Sequence, residues 1–170
     1  ISVCAAITEK VLIEQYSALK LHGVLLEGAV LKPNMVKNGL GGPKATADQV
    51  AMATVTALMR SVPCANPGIF FLSGETTLDE DNEETATINL NAMNKAFPKL
   101  PWHLSFSYGK ALQKTAIVTW MGKDENVPAA QAALLSRAKA NSEATKGIYV
   151  PGSCKSIGAE GSVAMQGGAY

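Results

Sequence analysis

Three short apolar runs, separated by stretches long enough for helices, constrain this chain more than any other feature. The first is Val24-Leu25-Leu26-Glu27-Gly28-Ala29-Val30-Leu31-Lys32, the second Gly68-Ile69-Phe70-Phe71-Leu72, the third His103-Leu104-Ser105-Phe106-Ser107. A nearly continuous run of branched residues predicts a strand buried on both faces. Between the runs the apolar spacing turns helical. Thr8 is placed to cap a helix carrying Val11, Leu12, Ile13, Tyr16, Leu19 and Leu21, with Gly23 ending it. Thr46 or Asp48 opens a second, bearing Val50, Met52, Val55, Leu58 and Met59. An acidic loop from Glu75 to Glu84 leads into a third through Ile88, Leu90, Met93 and Phe97. Leu112 to Trp120 predicts a fourth, and an alanine-rich fifth runs from about Pro128 to Thr145. Strand-then-helix units in this order predict an α/β chain with a parallel sheet.

Composition narrows the function. With 170 residues, 47% of them hydrophobic, the chain can build a real core. Fifteen basic and fourteen acidic residues leave a net charge of +1, which offers no electrostatic case for nucleic acid or a membrane surface. Only Arg60 and Arg137 are arginines, a further argument against a nucleic-acid phosphate binder. Cys4, Cys64 and Cys154 are odd in number and widely spaced, so they read as free thiols in a reducing compartment, with no zinc site. No apolar run approaches the roughly 18 residues of a membrane span, and no secretory signal is visible. The first residue is Ile1, from which a processed or truncated chain is expected.

Lys32 ends the first run and is followed at once by Pro33-Asn34-Met35-Val36. Proline cannot donate to a ladder, so the strand should stop there. Its last side chain is then an amine at the rim of an apolar wall, where burial favours the free amine that attacks carbonyls. The alternative is a strand-end lysine that reaches into water past apolar surface.

Six phrases occur in one order: Leu26-Glu27-Gly28, Leu31 to Val36, Ala51 to Leu58, Leu72-Ser73-Gly74, Ile88 to Asn94 and Phe106-Ser107-Tyr108-Gly109. Together they resemble the carboxyl-terminal half of class I fructose-1,6-bisphosphate aldolase, from about Thr8 to about Lys146 and again at Tyr170. The resemblance implies part of a TIM (β/α)₈ barrel: about the last three strands with their helices, over residues 1–150, followed by a flexible tail over 151–170. A complete barrel takes about 250 residues, so the polypeptide is expected to be longer or to be completed by another chain. The resemblance also makes Lys32 the imine-forming residue. It assigns Ser73, Gly74, Ser107 and Lys110 to substrate phosphate, with Glu75 as a further phosphate-site position that a gapped alignment leaves open, and brings Tyr170 to the site on the tail. No cofactor or metal is implied, because a protonated imine withdraws electrons without one. The implied reaction is the reversible cleavage of fructose 1,6-bisphosphate into glycerone phosphate and glyceraldehyde 3-phosphate, in glycolysis, gluconeogenesis or the Calvin cycle. A homotetramer follows by the same resemblance, in cytoplasm or plastid stroma.

Two departures keep other readings open. The family has arginine after Ser-Tyr-Gly, where this chain has Lys110, a point charge in place of a planar fork. The family also continues Ser-Gly with glycine, where this chain has Glu75 in an apparently longer loop. The family's acid/base glutamate, aspartate and further lysines lie upstream of this segment, and Glu27 is out of register to replace them. An aldolase-derived protein with a structural or interaction role therefore stands beside the enzyme, as does an imine-forming lyase of smaller substrates. His22 and His103 are expected to be bystanders. Trp102, Trp120 and the methionines are expected in the core, and the acidic run 79–84 in solvent.

Overall fold

The computed structural model describes residues 1–39, 41–73 and 83–154. Helices and strands alternate: α1 (Ser2–Leu21), β1 (Val30–Leu31), α2 (Ala47–Ser61), β2 (Gly68–Leu72), α3 (Glu83–Ala96), β3 (His103–Ser107), α4 (Lys110–Trp120) and α5 (Val127–Thr145). The strands form one parallel sheet in the order β1-β2-β3. The predicted βα units are therefore present, and β2 and β3 fall on the residues expected of them.

Local chemistry explains most of the boundaries. Thr46 caps α2 through a complete capping box: its hydroxyl accepts from Gln49 N–H, and the Gln49 side chain accepts from Thr46 N–H. Gly23, at φ +68°, closes α1. Its N–H donates to the Lys20 carbonyl and that of Val24 to Leu19, which satisfies two end carbonyls. Gly147 closes α5 in the same way, with donors to Ala144 and, from Ile148, to Glu143. The start of α1 differs from expectation. It begins at Ser2, not Thr8, because Val3 to Ile7 continue the helix without a side-chain cap.

The first strand needs a larger correction. Instead of spanning 24–32 it shrinks to Val30–Leu31. Leu26–Gly28 form a 3₁₀ turn, with Gly28 N–H donating to Leu25 and Ala29 N–H to Leu26, so these groups are used locally. The partner strand also starts only at Gly68, which pairs with Val30, leaving no strand partner for 24–29 among the described residues. Glu27 consequently sits exposed on the turn, off the strand altogether.

The sheet has two unlike faces. Leu31, Ile69, Phe71, Leu104 and Phe106 are buried and pack with Val50, Val55, Leu58, Leu90 and Met93 from α2 and α3. Side chains of this size contribute roughly 1.5–3 kcal/mol each when removed from water. The alternate residues Val30, Lys32 and His103 are exposed, while Phe70, Leu72, Ser105 and Ser107 are half-buried. Among the described residues nothing covers this second face, although parallel sheets ordinarily bury both. The first run is thus buried on one face only. At the amino-terminal end of the sheet, Tyr16 Oη donates to Asn66 Oδ1 (3.2 Å), and Asn66 Nδ2 to the Gly68 carbonyl (2.8 Å), which pins α1 to the start of β2.

The core differs from expectation in detail. Trp102, Met35 and Met93 are buried, and Trp102 Nε1 donates to the Pro63 carbonyl at 3.0 Å. Trp120, Met52, Met59 and Met121 are exposed. Met52 and Met59 lie seven residues apart, two full turns, on the outer face of α2. Of the acidic run, Glu83 is buried and not in solvent.

Candidate active site

Lys32, Ser73, Ser107 and Lys110 all stand at the carboxyl ends of the three parallel strands. Ligands of parallel α/β sheets gather at that edge. Pro33 ends the formal strand, as expected, but pairing continues beyond it. The Pro33 carbonyl accepts from Leu72 N–H at 3.1 Å, in the register set by Val30–Gly68 and Leu31–Ile69. Proline lacks only the donor. Three residues later Val36 N–H donates to Thr54 Oγ1 on α2 at 2.9 Å, and Met35 and Val36 are buried. The backbone on which Lys32 stands is thereby held from both neighbouring elements.

Carrying the register on by one residue sets Lys32 beside Phe70, which pairs with Ser105. Cα partners in a parallel pair face the same way, so Lys32, Ser105 and Ser107 share the uncovered face. Two strand spacings and two residue rises put the roots of Lys32 and Ser107 roughly 12 Å apart. The Lys32 side chain is exposed. The apolar wall expected around its amine is not present among the described residues.

Ser73 plays a second part. Its Oγ accepts from Ala111 N–H at 3.1 Å, tying the end of β2 to the first turn of α4. The N–H groups of Ala111, Leu112 and Gln113 are already used, by Ser73 Oγ and the Gly109 carbonyl, so what suits an anion here is the positive end of the helix dipole with Lys110 and a serine beside it. Ser107 and Lys110 are both half-buried. Gly74, Glu75 and Tyr170 lie outside the described residues, so the structure brings together four of the seven predicted positions. His22 is exposed just past α1, and His103 is exposed at the start of β3, the end remote from Lys32.

A buried polar cluster beneath the site escaped the sequence reading. Arg137 and Glu83 are both buried, with Nε 3.8 Å from Oε2. Arg137 also donates to the carbonyls of Ala111 (2.9 Å) and Glu83 (3.2 Å) and to Thr87 Oγ1 (2.6 Å). The available signal was Arg137 on the Ala133-Arg137-Ala140-Asn141-Ala144 stripe, a charged residue on the apolar side of its helix.

The family model described as fructose-bisphosphate aldolase class-I matches residues 1–170. The chain belongs to this family. It is 57% identical over 146 residues to the cytoplasmic aldolase isozyme of Cicer arietinum, an alignment spanning 86% of this chain and 39% of that one. It is 51% identical over its whole length to the cytosolic fructose-bisphosphate aldolase 5 of Arabidopsis thaliana, covering 46% of that protein. Among solved structures it is similar to the Plasmodium falciparum aldolase crystallised with TRAP and a small-molecule inhibitor. The TM-score is 0.82 at 51% identity, over 89% of this chain and 42% of that one. The chain therefore spans less than half the length of these aldolases, and its three parallel strands are part of the aldolase barrel.

Proposed function

We propose that this chain carries the imine-forming and phosphate-binding part of a class I aldolase that reversibly cleaves fructose 1,6-bisphosphate to glycerone phosphate and glyceraldehyde 3-phosphate. The observation that carries this reading is Lys32 on the same sheet edge as Ser73, Ser107 and the start of α4. The Lys32 amine would attack the ketone carbon and expel its oxygen as water, leaving a protonated imine. That iminium accepts the electron pair released when the adjacent carbon–carbon bond breaks. Ser107, Ser73 with Gly74, and Lys110 would hold phosphate, and the span between Lys32 and Ser107 suits a ketose phosphate lying along the sheet edge. Tyr170 and Glu75 enter the proposal by family resemblance; the first four residues of the predicted 151–170 tail are docked on the fold, with Cys154 buried and Gly152 N–H donating to Glu84 Oε1. The acid/base carboxylates would come from barrel strands outside residues 1–170.

The proposal extends to a homo-oligomer of the tetrameric kind. The location we favour is the cytosol and not the plastid, because the relatives at 51–57% identity include cytoplasmic and cytosolic isozymes. No helix among the described residues is long and apolar enough to cross a membrane.

Borohydride reduction in the presence of glycerone phosphate tests the reading. A mass adduct mapping to Lys32, absent in Lys32→Met, is the expected result. Trapping at another lysine, or none on a folded chain that binds glycerone phosphate, would overturn it.

A further inference from the structure

We propose that Arg137, with Asn141, is a positioning residue for the phosphate site: it holds the first turn of α4 in place from behind. This inference rests on the phosphate-binding role proposed above for Ser73 and the start of α4. The peptide unit at Ala111 faces two ways. Its N–H donates to Ser73 Oγ at 3.1 Å, on the side of the site. Its carbonyl accepts from Arg137 Nε at 2.9 Å and from Asn141 Nδ2 at 3.0 Å, on the side of the core. In an α-helix that carbonyl serves the N–H four residues on, that of Thr115. Here Thr115 N–H donates to Glu83 Oε1 at 2.6 Å, and Thr115 Oγ1 donates to Glu83 Oε2. The opening turn of α4 is thus bonded from outside its own helix, by α5 and by α3.

The same guanidinium reaches the other flank of the site. Arg137 Nη2 donates to the carbonyl of Glu83, the first residue of α3, and to Thr87 Oγ1. Thr87 Oγ1 in turn contacts Asn141 Oδ1 at 2.7 Å. One planar side chain, 1% exposed, therefore fixes both the residue that follows the 74–82 segment and the helix turn that faces Ser73. The cluster is a costly way to hold helices together. A buried arginine–glutamate pair contributes little net stability against apolar residues of similar size, because both charges leave water, and among the described residues Arg137 Nη1 meets no hydrogen-bond partner. What the cluster does supply is direction: three acceptors met by one rigid fork, which lysine cannot reproduce.

Arg137→Lys keeps the charge and removes the fork, whereas Asn141→Ala removes the second donor to Ala111. Both are to be made in the full chain, with folding followed by circular dichroism and inorganic phosphate affinity by calorimetry. The expected result is a cooperative thermal transition in at least one variant, with phosphate bound roughly tenfold more weakly, as a small misplacement of donors produces. Reductive trapping with dihydroxyacetone, which carries no phosphate, should proceed at the unsubstituted rate. Unchanged phosphate affinity in a folded variant would overturn the inference, and so would a parallel loss of dihydroxyacetone trapping, which marks general damage. Phosphate binding that responds to the variants in a chain that never forms the imine would support the inference and overturn only the aldolase reading.

Discussion

Lys110 stands where the family's motif has arginine, and the difference between the two side chains is geometric before it is electrostatic. A guanidinium can meet two phosphate oxygens with parallel N–H bonds, while an ammonium meets them as a point charge. Lys110→Arg is therefore expected to tighten binding of fructose 1,6-bisphosphate about three- to tenfold, read as a fall in KM with kcat little changed. A weaker KM would show that this site is shaped for lysine. Tyr149 yields a second test at this scale. Its Oη donates to Glu84 Oε1 at 2.8 Å. Burial, followed by that bond and the negative carboxylate, pushes its pKa from 10.0 up to about 12. Below pH 10 the phenol is protonated whether the chain is folded or not, and its stabilising contribution is complete. Between about pH 10 and 12 the unfolded chain gives up the proton that the folded one retains, so stability falls as pH rises. Urea unfolding across that window should show the fall, and Tyr149→Phe should reduce it. Equal pH slopes in the two proteins would assign the alkaline loss elsewhere.

Among the elements, caps and turns carry signals that sequence alone transmits well. Thr46, Gly23, β2 and β3 were all legible because their causes are local: a hydroxyl three residues before an amide side chain, a glycine after a helix, a run of β-formers between turn residues. Thr46→Ala should cost about 1 kcal/mol and lower the melting temperature by roughly 2–4 °C, while Thr46→Ser should restore most of it. The two helix-closing glycines should respond differently to alanine. At Gly23 a Cβ meets nothing within 4 Å, so only the left-handed backbone is penalised, by about 1–2 kcal/mol. At Gly147 a Cβ would lie 2.8 Å from Lys95 N and 2.9 Å from its Cα. That clash with backbone adds to the strain, and Gly147→Ala should be the more destabilising in denaturant titration. Equal midpoints would mean that α5 shifts away from α3 at little cost. The shortened β1 was not legible in this way. Its length depends on where β2 begins, some forty residues later, and on a 3₁₀ turn that branched residues do not announce. Likewise Glu83 reads as one acid in an acidic run until α4 and α5 close over it. The site was legible through family words more than through physics, since Ser73 and Ser107 are ordinary turn and strand-end serines until the parallel order sets them at one edge.

Taken together, the described residues have a helix-covered side and an open one. The open side includes Val30, Phe70 and Leu72, apolar or aromatic residues beside the site's polar groups. On its own the 170-residue chain should bind a hydrophobic dye and associate with itself, because exposed apolar sheet surface and an open edge recruit partners. Val30→Lys, which places a charge on the edge strand, should diminish both effects as followed by dye fluorescence and sedimentation. A monodisperse, dye-silent chain would show that this face is closed in solution by means other than association.

The bond from Leu72 N–H to the Pro33 carbonyl links the residue before Ser73 to the residue after Lys32. Its hydrogen can exchange with deuterated water only when those two strand ends separate. One slowly labelled amide would thus serve as a gauge of how often the two halves of the site come apart, legible by mass spectrometry with no substrate present.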